Sequence, residues 1–394
     1  MENIISTFLQ ERIDAADFPS AVFLVGEKGE IVYHDALGYA VVEPERIEAS
    51  IDTIYDLASL TKPLVTGLLF AKLLQDGEIE LNETASKFLP SFKDDAHRSI
   101  KLVELATHTS RLRAWVPLYL YSKSLLRVSE TIGSLPLYTD DAYVLYSDLN
   151  FISLANVLET TRFGRRIDLV ANEELFEPLT LKRTIFNPKM EDWFQIADMG
   201  GQRSIAASEK GNEYEKQTCI ELGYLQPPAT TGGTDMSPKE LRNPQSAFRN
   251  RPIWGEVHDG NAWFMGGVAG HAGLFSTAEE VFKIAQQFLP NYTTILKPET
   301  CSLFKTNFTE RLNEHRSLAF QLASTPDSTA GTKMSRESFG HLGFTGTSLW
   351  IDPVNERVFI LLTNRTHAHP LPFVNINSVR RRFHDLAIDL LDNI

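Results

Sequence analysis

Residues 59–75, SLTKPLVTGLLFAKLLQ, are the stretch from which the fold and the chemistry of this chain can be inferred. The apolar residues after Pro63 predict one buried helix that stops near Gly77, because glycine is common just past helix ends. Proline is tolerated only in the first turn, which places Ser59 at the helix start. Ser59 and Lys62 share a helix face, so the amine can reach the hydroxyl. The spacing predicts a serine nucleophile with a lysine as its base.

A second Ser-x-x-Lys match, from Ser302 to Lys305, has a different context. It follows Pro298 on a helix with ordinary polar spacing, which predicts a surface position. The helix after Ser59 is strongly apolar, and a serine and a lysine at the mouth of a buried helix require a polar site. We therefore assign the chemistry to Ser59. We expect burial to lower the pKa of Lys62 enough for it to act as a base.

Composition excludes several classes of function. The chain has 394 residues, of which 43% are hydrophobic, and its 38 Lys and Arg against 51 Asp and Glu give a net charge of −13. So acidic a chain is a poor partner for nucleic acids or anionic membranes, because phosphate contacts need clustered basic residues. The basic run 380–382 precedes acidic residues, so we interpret it as a solvated helix face. Cys219 and Cys301 are too few for a disulfide framework or a four-cysteine zinc site.

Targeting and cofactor motifs are not recognisable in the sequence. No apolar run reaches the roughly 18 residues of a membrane span, and no signal peptide is evident at the start, so we expect a cytoplasmic protein. No glycine-rich loop follows a predicted strand, so we expect no nucleotide cofactor. His258 and His271 lack metal-ligand spacing, which favours structural or pocket-lining roles and predicts no metal site. The oligomeric state stays open.

Predicted strands lie at the two ends of the chain, and predicted helices lie in its middle. Residues 20–40 and 340–363 each resemble a hairpin. Helices are predicted at both termini, after Ser147 as an N-cap, and after a capping box at 276–280. This order predicts an α+β fold with one antiparallel sheet, flanked by helices, formed from both chain ends.

The middle of the chain is predicted to form a mainly helical lobe inserted into that sheet. We expect a single domain over residues 1–394. Its sheet lobe would comprise about 1–60 and 265–394, and its helical and loop lobe about 61–264.

Residues 196–262 differ from their surroundings because they are rich in Gly, Pro, Asn and Thr and show little periodicity. We predict a long excursion of loops, and loops of this length are usually functional or mobile. Trp254 and His258 suit the wall of a pocket. We expect this segment, with the glycine-rich run 266–273, to cover the mouth of the site and select the substrate. The alternative is a structural cap that never touches substrate.

Two further motifs carry groups suited to acyl transfer. Tyr146 lies just before a predicted helix, where it could take or pass on a proton, although tyrosines in this position usually pack in cores. Gly343, two residues after His341, lies in a predicted strand, where glycine often marks close backbone approach by a ligand. A backbone N–H on such a strand could form an oxyanion hole with the N–H of Ser59. A kinked strand with a structural histidine is the alternative.

Together the three motifs come in the order used by penicillin-recognising serine enzymes. The sequence resembles the class C β-lactamase-like serine hydrolases, which include class C β-lactamases, family VIII carboxylesterases, D,D-peptidases and some cell-wall amidases. Further stretches share this resemblance, which covers nearly the whole chain: 105–110, 176–179, 255–262 and 267–276. The resemblance implies a β-lactamase/D,D-peptidase-like (transpeptidase-like) fold.

The resemblance also implies roles for individual residues. Ser59 would be the acylated nucleophile, Lys62 its proton acceptor and Tyr146 the second acid/base. Phe344 would supply the second oxyanion N–H, next to the His341–Gly343 motif. Asp148 stands where β-lactamases usually carry Asn, and His341 where they carry Lys. Both changes remove groups that suit a β-lactam.

The sequence therefore predicts a serine hydrolase that cleaves small carboxylic esters through an acyl-enzyme on Ser59, with His341, Gly343, Asp148, His258 and Trp254 near the substrate. The alternatives are a peptidoglycan-fragment amidase or D,D-carboxypeptidase, a weak β-lactamase, or a non-catalytic sensor that stays acylated. The expected partner is a small ester or amide substrate.

Overall fold

The protein combines a large antiparallel sheet with helices on both of its faces. A computed structural model describes residues 4–122, 124–139, 143–188, 201–225 and 248–393. The strands are β1 (Ser20–Glu27), β2 (Glu30–Val41), β3 (Ile47–Glu48), β4 (Tyr55–Asp56), β5 (Ile185–Phe186), β6 (Leu274–Ser276), β7 (Gln321–Leu322), β8 (Phe339–Leu342), β9 (Ser348–Asp352) and β10 (Arg357–Thr363).

The α-helices are mostly short. They are α1 (Ile4–Asp14), α2 (Leu68–Gln75), α3 (Asp95–Arg98), α4 (Leu102–Ala106), α5 (Leu118–Tyr121), α6 (Val128–Ile132), α7 (Asp148–Thr161), α8 (Ile167–Ala171), α9 (Glu213–Glu221), α10 (Gly260–Phe264), α11 (Ala278–Ala285) and α12 (Asn377–Asp392). Single turns of 3₁₀-helix occupy Ala58–Leu60, Ala85–Lys87, Leu125–Arg127, Gly201–Ser204, Gln286–Phe288 and Thr300–Phe304, and π-helical turns occupy Lys62–Gly67 and Asn172–Phe176. None of the helices in the described ranges is both long and apolar enough to cross a membrane.

The main sheet has the strand order β3-β2-β1-β10-β9-β8-β7, and all of its paired strands are antiparallel. Strand β1 from the start of the chain pairs with β10 from its end, so the predicted α+β fold is confirmed. One detail of the prediction is wrong, because residues 340–351 do not form one strand. A tight turn at 343–347 separates β8 from β9. The lobe boundaries near residues 60 and 265 stay a prediction.

The sheet is buried on both faces, which explains the unbroken apolar run 21–25 in β1. Alternate residues of a strand point to opposite faces. Val22 and Leu24 join the core formed with the helices from the middle of the chain. Phe23 and Val25 face the other core, which packs against α1 and α12. The two terminal helices therefore cover one face of the sheet, as the apolar periodicity of both predicts.

The predicted helix at 59–75 is confirmed, and it begins irregularly. A 3₁₀ turn over Ala58–Leu60 leads into a π-helical turn at Lys62–Gly67, and the α-helical geometry starts only at Leu68. Proline has no N–H to donate, so a helix that starts at this point loses no hydrogen bond at Pro63. The first turn holds Ser59 half-buried and Lys62 fully buried.

The predicted loop excursion is only partly within the described residues, since 189–200 and 226–247 lie outside them. Where it is described, it contains the regular helix α9, so the expectation of loops alone is wrong there. The N-cap predicted at Ser147 is confirmed, since its side-chain oxygen accepts the backbone N–H three residues later. The helix predicted after the capping box at 276–280 is confirmed as well, and Thr277 is its N-cap.

Candidate active site

A cleft of about 520 Å³ opens at the edge of the sheet beside β8. Seven of the residues predicted near the site line it, namely Ser59, Tyr146, Asp148, His258, His341, Gly343 and Phe344. Lys62 lies directly beneath the wall, with no exposed surface. Its Nζ donates a hydrogen bond to Ser59 Oγ over 2.9 Å, as the i, i+3 spacing predicts.

The backbone just before Ser59 is strained. Ala58 has φ of 48°, a left-handed conformation that is uncommon for a residue with a Cβ and costs about 1–3 kcal/mol. Its N–H donates to Asp56 Oδ1 over 2.8 Å, which holds this conformation in place. Strain of this kind is often found at functional sites, where the surrounding structure fixes a reactive side chain.

Lys62 has three hydrogen-bond acceptors close to Nζ. Besides Ser59 Oγ, they are Asp148 Oδ1 at 2.7 Å and the carbonyl oxygen of His271 at 3.2 Å. Burial favours the neutral amine, but the Asp148 carboxylate and the Tyr146 side chain outweigh it and raise the pKa of Lys62. The expectation of a lowered lysine pKa is therefore wrong. The main cause of the raised pKa is Asp148, which stands where the family resemblance implies Asn.

Tyr146 is held in the cleft by His108, a residue that the sequence analysis did not single out. The carbonyl of His108 accepts the N–H of Leu145, and its Nδ1 accepts the N–H of Ser147, each over 3.0 Å. The imidazole packs on the Tyr146 ring, with the centroids 4.6 Å apart. His108 therefore fixes the backbone on both sides of Tyr146. The stretch 105–110 was identified as part of the family resemblance, but nothing local showed this contact.

His341 is a neutral group in the cleft wall. Desolvation, with the positive charges of Lys62 and Arg316 nearby, holds its pKa well below the ordinary value. Its Nδ1 lies 2.9 Å from the carbonyl of Leu342, so in the neutral ring Nδ1 donates and Nε2 is an acceptor. His341 Nε2 has no hydrogen-bond partner within the described part of the chain. The site thus has an uncharged acceptor at this position of the wall.

The turn after β8 is fastened to the segment that leads into Ser59. Thr345 Oγ1 donates to the carbonyl of Asp56 over 2.8 Å, and Thr347 Oγ1 donates to that of Leu57 over 3.0 Å. A Cβ on Gly343 would lie 2.6 Å from the Leu57 carbonyl oxygen, so only glycine permits this approach. The turn therefore brings the backbone of Phe344 close to the nucleophile segment, as the glycine suggested.

Of the two remaining residues predicted in the pocket wall, His258 lies there and Trp254 does not. His258 lines the cleft, stacks on Phe344 with ring centroids 5.4 Å apart, and bonds Glu209 Oε2 through Nε2 over 2.8 Å. Trp254 does not line the cleft, so its prediction as a substrate contact is wrong. Its indole N–H donates to the carbonyl of Ile205 over 2.8 Å, and its ring packs against the main core and against a smaller apolar cluster. The sequence alone did not show that Trp254 and His258, which are close in the chain, face different parts of the fold.

Several lining residues were missed. Helix α9 contributes Tyr214 and Thr218, and Leu222 follows at its C-terminal end; the spacing of four residues places all three on one face. Trp115, Arg316, Arg365 and Arg380 line the cleft as well. Arg380 belongs to the basic run 380–382, which we interpreted as a solvated helix face. This interpretation is wrong for Arg380, because only 4% of the residue is exposed. Arg382 is exposed, as expected.

Asp148, Asp259 and His271 place potential metal-ligand atoms within 4.8 Å of one another. The protein supplies positive charge to this group itself. Lys62 Nζ contacts Asp148, and His271 Nε2 lies 2.9 Å from Asp259 Oδ1. Burial raises the pKa of Asp259, but the contact with His271, the Ala262 N–H and the nearby Lys62 outweigh it and lower the pKa. The absence of a metal stays a prediction. Lys62 already places a positive charge beside Asp148, one of the three potential ligands.

The sheet, its covering helices and the cleft at its edge are those of the β-lactamase and penicillin-binding-protein-like serine hydrolases. The β-lactamase family model matches residues 5–380, so the chain belongs to that family. Proteins named "putative D-alanyl-D-alanine carboxypeptidase" are similar over most of their length. The Salmonella typhi protein is 31% identical over 92% of this chain and 82% of its own, and the Escherichia coli K12 protein is 28% identical over 93% and 82%.

Solved structures confirm the fold. The chain is similar to EstCE1, a hydrolase with promiscuous acyltransferase activity, with a TM-score of 0.67 and 19% identity over 97% of both chains. It is equally similar to a class C β-lactamase from Rhodobacter sphaeroides, with a TM-score of 0.67 and 16% identity over 99% of this chain and 100% of that one. At such identities the likeness establishes the architecture and leaves the substrate open.

Proposed function

We propose that this protein is a serine hydrolase that cleaves small carboxylic esters through an acyl-enzyme on Ser59. The observation that carries the proposal is the hydrogen bond of 2.9 Å from Lys62 Nζ to Ser59 Oγ in a cleft that Tyr146 also lines. A serine hydroxyl becomes a useful nucleophile only when neighbouring groups orient it and accept its proton.

Tyr146 is the proton acceptor in this mechanism, because the Asp148 carboxylate keeps Lys62 protonated. As Ser59 Oγ attacks the ester carbonyl carbon, the Tyr146 oxygen takes the serine proton and gives its own phenolic proton to the departing alkoxide, so Tyr146 is a neutral phenol before and after the step. Water attacks the acyl-enzyme by the reverse route and releases the acid. Lys62 and Arg316 place positive charge against the Tyr146 ring, with centroid distances of 5.0 and 5.4 Å, so charge that develops during proton transfer is compensated.

The oxyanion formed by attack on the carbonyl would be held by the N–H groups of Ser59 and Phe344. Two backbone donors directed at the developing charge lower the barrier more than a group that binds only the substrate. The fastening of residues 345 and 347 to residues 56 and 57 supports this pairing, because it fixes the two segments relative to each other.

The cleft lining favours an uncharged acyl group. Trp115, Leu222 and Phe344 present apolar and aromatic surface, which suits acyl chains or rings. His341, next to Tyr146 with ring centroids 5.8 Å apart, is neutral and offers an acceptor. A neutral ester meets no unpaired charge in this part of the wall.

Hydrolysis of D-alanyl peptides is the second candidate, and Arg365 favours it. Arg365 lines the cleft, and in the described ranges its guanidinium binds backbone carbonyls and no carboxylate. Burial lowers its pKa, against a smaller opposing effect of Tyr214. A C-terminal carboxylate would be a suitable partner for this guanidinium. The relatives from Salmonella typhi and Escherichia coli carry the name of such an enzyme, which agrees with this candidate.

One kinetic panel tests both candidates. It compares p-nitrophenyl esters of increasing acyl length, a D-alanyl-D-alanine peptide and the chromogenic β-lactam nitrocefin. We expect steady turnover of the short esters with the highest kcat/KM. A higher kcat/KM for the peptide would identify the protein as a carboxypeptidase. A higher kcat/KM for nitrocefin would identify it as a β-lactamase. One stoichiometric burst without turnover would select a sensor that stays acylated.

A further inference from the structure

Arg380 is a buried cation that the proposed mechanism does not use. It lies in the first turn of α12, is 4% exposed and reaches the wall of the cleft. In the described part of the chain no carboxylate lies within ion-pair distance of its guanidinium, and burial together with the nearby Arg365 charge lowers its pKa to about 9. A buried charge without a counter-ion is costly, so its position needs a cause.

The guanidinium is directed at the turn that follows β8. Nη2 donates to the carbonyl of Gly343 over 3.1 Å and to that of Thr347 over 2.9 Å, while Nη1 donates to Asn377 Oδ1 over 2.9 Å. The same Gly343 carbonyl accepts the N–H of Gly346, and the Thr347 carbonyl accepts the N–H of Gly343. Arg380 therefore binds both ends of the turn at once.

The Gly343–Phe344 peptide is the one whose N–H would face the oxyanion. In a trans peptide the C=O and the N–H point in opposite directions. The only cis bonds in the described ranges are Glu43–Pro44 and Leu371–Pro372, so this peptide is trans. Because Arg380 holds its oxygen from the helix side, the N–H is turned away from the helix. No acceptor among the described residues takes the Phe344 N–H.

We infer that Arg380 is a positioning residue for the oxyanion hole: it holds the Gly343 carbonyl so that the N–H of Phe344 is presented to the cleft. A cation on the carbonyl oxygen also polarises the peptide and strengthens its N–H as a donor. Arg365 reinforces the next peptide by donating from Nε to the Phe344 carbonyl over 2.9 Å. The inference rests on the proposed acyl transfer at Ser59.

The test is the rate at which a fluorophosphonate labels Ser59, together with kcat and KM for p-nitrophenyl acetate. The variants are Arg380→Met, Arg380→Lys and the matched control Arg381→Met, whose wild-type side chain donates to the Ser328 carbonyl on the other side of the helix. Loss of one oxyanion donor typically costs about 10²–10³-fold in kcat. We expect Arg380→Met to lower the labelling rate and kcat about 10²-fold with KM nearly unchanged, Arg380→Lys to recover part of both, and the control to match wild type.

The outcomes separate this inference from the proposed function. No labelling of the wild-type protein would refute both. Normal labelling of Arg380→Met, or a rise in KM alone, would overturn the positioning role, and the latter would make Arg380 a substrate contact. If the methionine variant does not fold by its melting curve, Arg380→Lys decides: a wild-type labelling rate overturns the inference, because a lysine lacks the planar fork that binds Asn377 through Nη1 while Nη2 holds the turn.

Discussion

The Asp148 carboxylate and the Lys62 ammonium form a contact of 2.7 Å at the base of the cleft, next to the Ser59 hydroxyl. Lys62 has no exposed surface, and 16% of the Asp148 side chain is exposed. Desolvation by itself lowers the pKa of Lys62, and the Asp148 charge, together with Tyr146, reverses this and raises it. The nucleophile therefore lies beside a cation, and in the proposed mechanism proton transfer falls to Tyr146.

Replacing Asp148 with Asn should change the pH dependence of the reaction. Without the carboxylate, burial is the largest remaining effect on Lys62, and it lowers the pKa of the amine. Opposite charges this close shift a pKa by about 1–3 units. We therefore expect the alkaline limb of the kcat/KM profile in Asp148→Asn to move to lower pH by about that amount.

A control and a contrary outcome make this prediction specific. Asp76→Asn removes a surface carboxylate 2.9 Å from Lys72 and should leave the profile unchanged. A rise in activity of Asp148→Asn at neutral pH, with the acid limb moved downward, would mean that neutral Lys62 is the base after all.

Loss of the Tyr146 hydroxyl should remove the proton acceptor and leave the cleft intact. Proton transfer by a placed side chain contributes about 10²–10⁴-fold. We expect Tyr146→Phe to lower kcat by at least the smaller of these factors, measured with p-nitrophenyl acetate. Tyr143→Phe, at a tyrosine that is 39% exposed and three residues away, is the matched control. Equal activity of the two variants would exclude Tyr146 from the mechanism.

Ser59→Ala should abolish both turnover and the covalent fluorophosphonate adduct seen by intact-mass measurement. Ser302→Ala should affect neither, since the Ser302 hydroxyl is exposed and donates to the Glu299 carbonyl over 2.7 Å. An adduct on the Ser59→Ala protein would show that another residue is the nucleophile.

Glu215 should make stability depend on pH. Burial and the nearby Asp259 charge raise the pKa of this cleft carboxyl to about 7. Between about pH 4.5 and 7 the folded protein keeps a proton that the unfolded chain has lost, so the free energy of unfolding falls as pH rises through this window. The loss is about 3 kcal/mol. We expect the melting temperature of Glu215→Gln, relative to wild type, to increase from pH 5 to pH 8.

The glutamine is suited to this test because its amide oxygen can still accept the N–H of Gly260, as the Glu215 carboxylate does over 2.6 Å. Glu213→Gln, on the exposed side of the same helix, should show no such pH dependence. A constant difference between Glu215→Gln and wild type at all pH values would contradict a raised pKa.

Local rules were sufficient for the elements of the fold. Strand-forming runs and turn residues predicted the hairpin of β1 and β2. N-cap chemistry predicted the starts of α7 and α11. Ser59 and Lys62 were also predictable, because residues three apart on a helix are neighbours whatever the rest of the chain does. The break in the strand after residue 342 was not predictable from the sequence, because the turn there depends on contacts with residues 56 and 57.

What the sequence by itself determined is thus most of the elements, the α+β class, and the one contact of the proposed catalytic site that is made within a single helix turn. Only the tertiary structure decided the charge of Lys62, because Asp148 is 86 positions away and their separation depends on how α7 packs. It also decided that Arg380 is buried and Trp254 turned away from the cleft. The physical reason is the same in each case: burial and electrostatic partners arise from chain segments far apart in sequence, and propensity and periodicity carry no information about them.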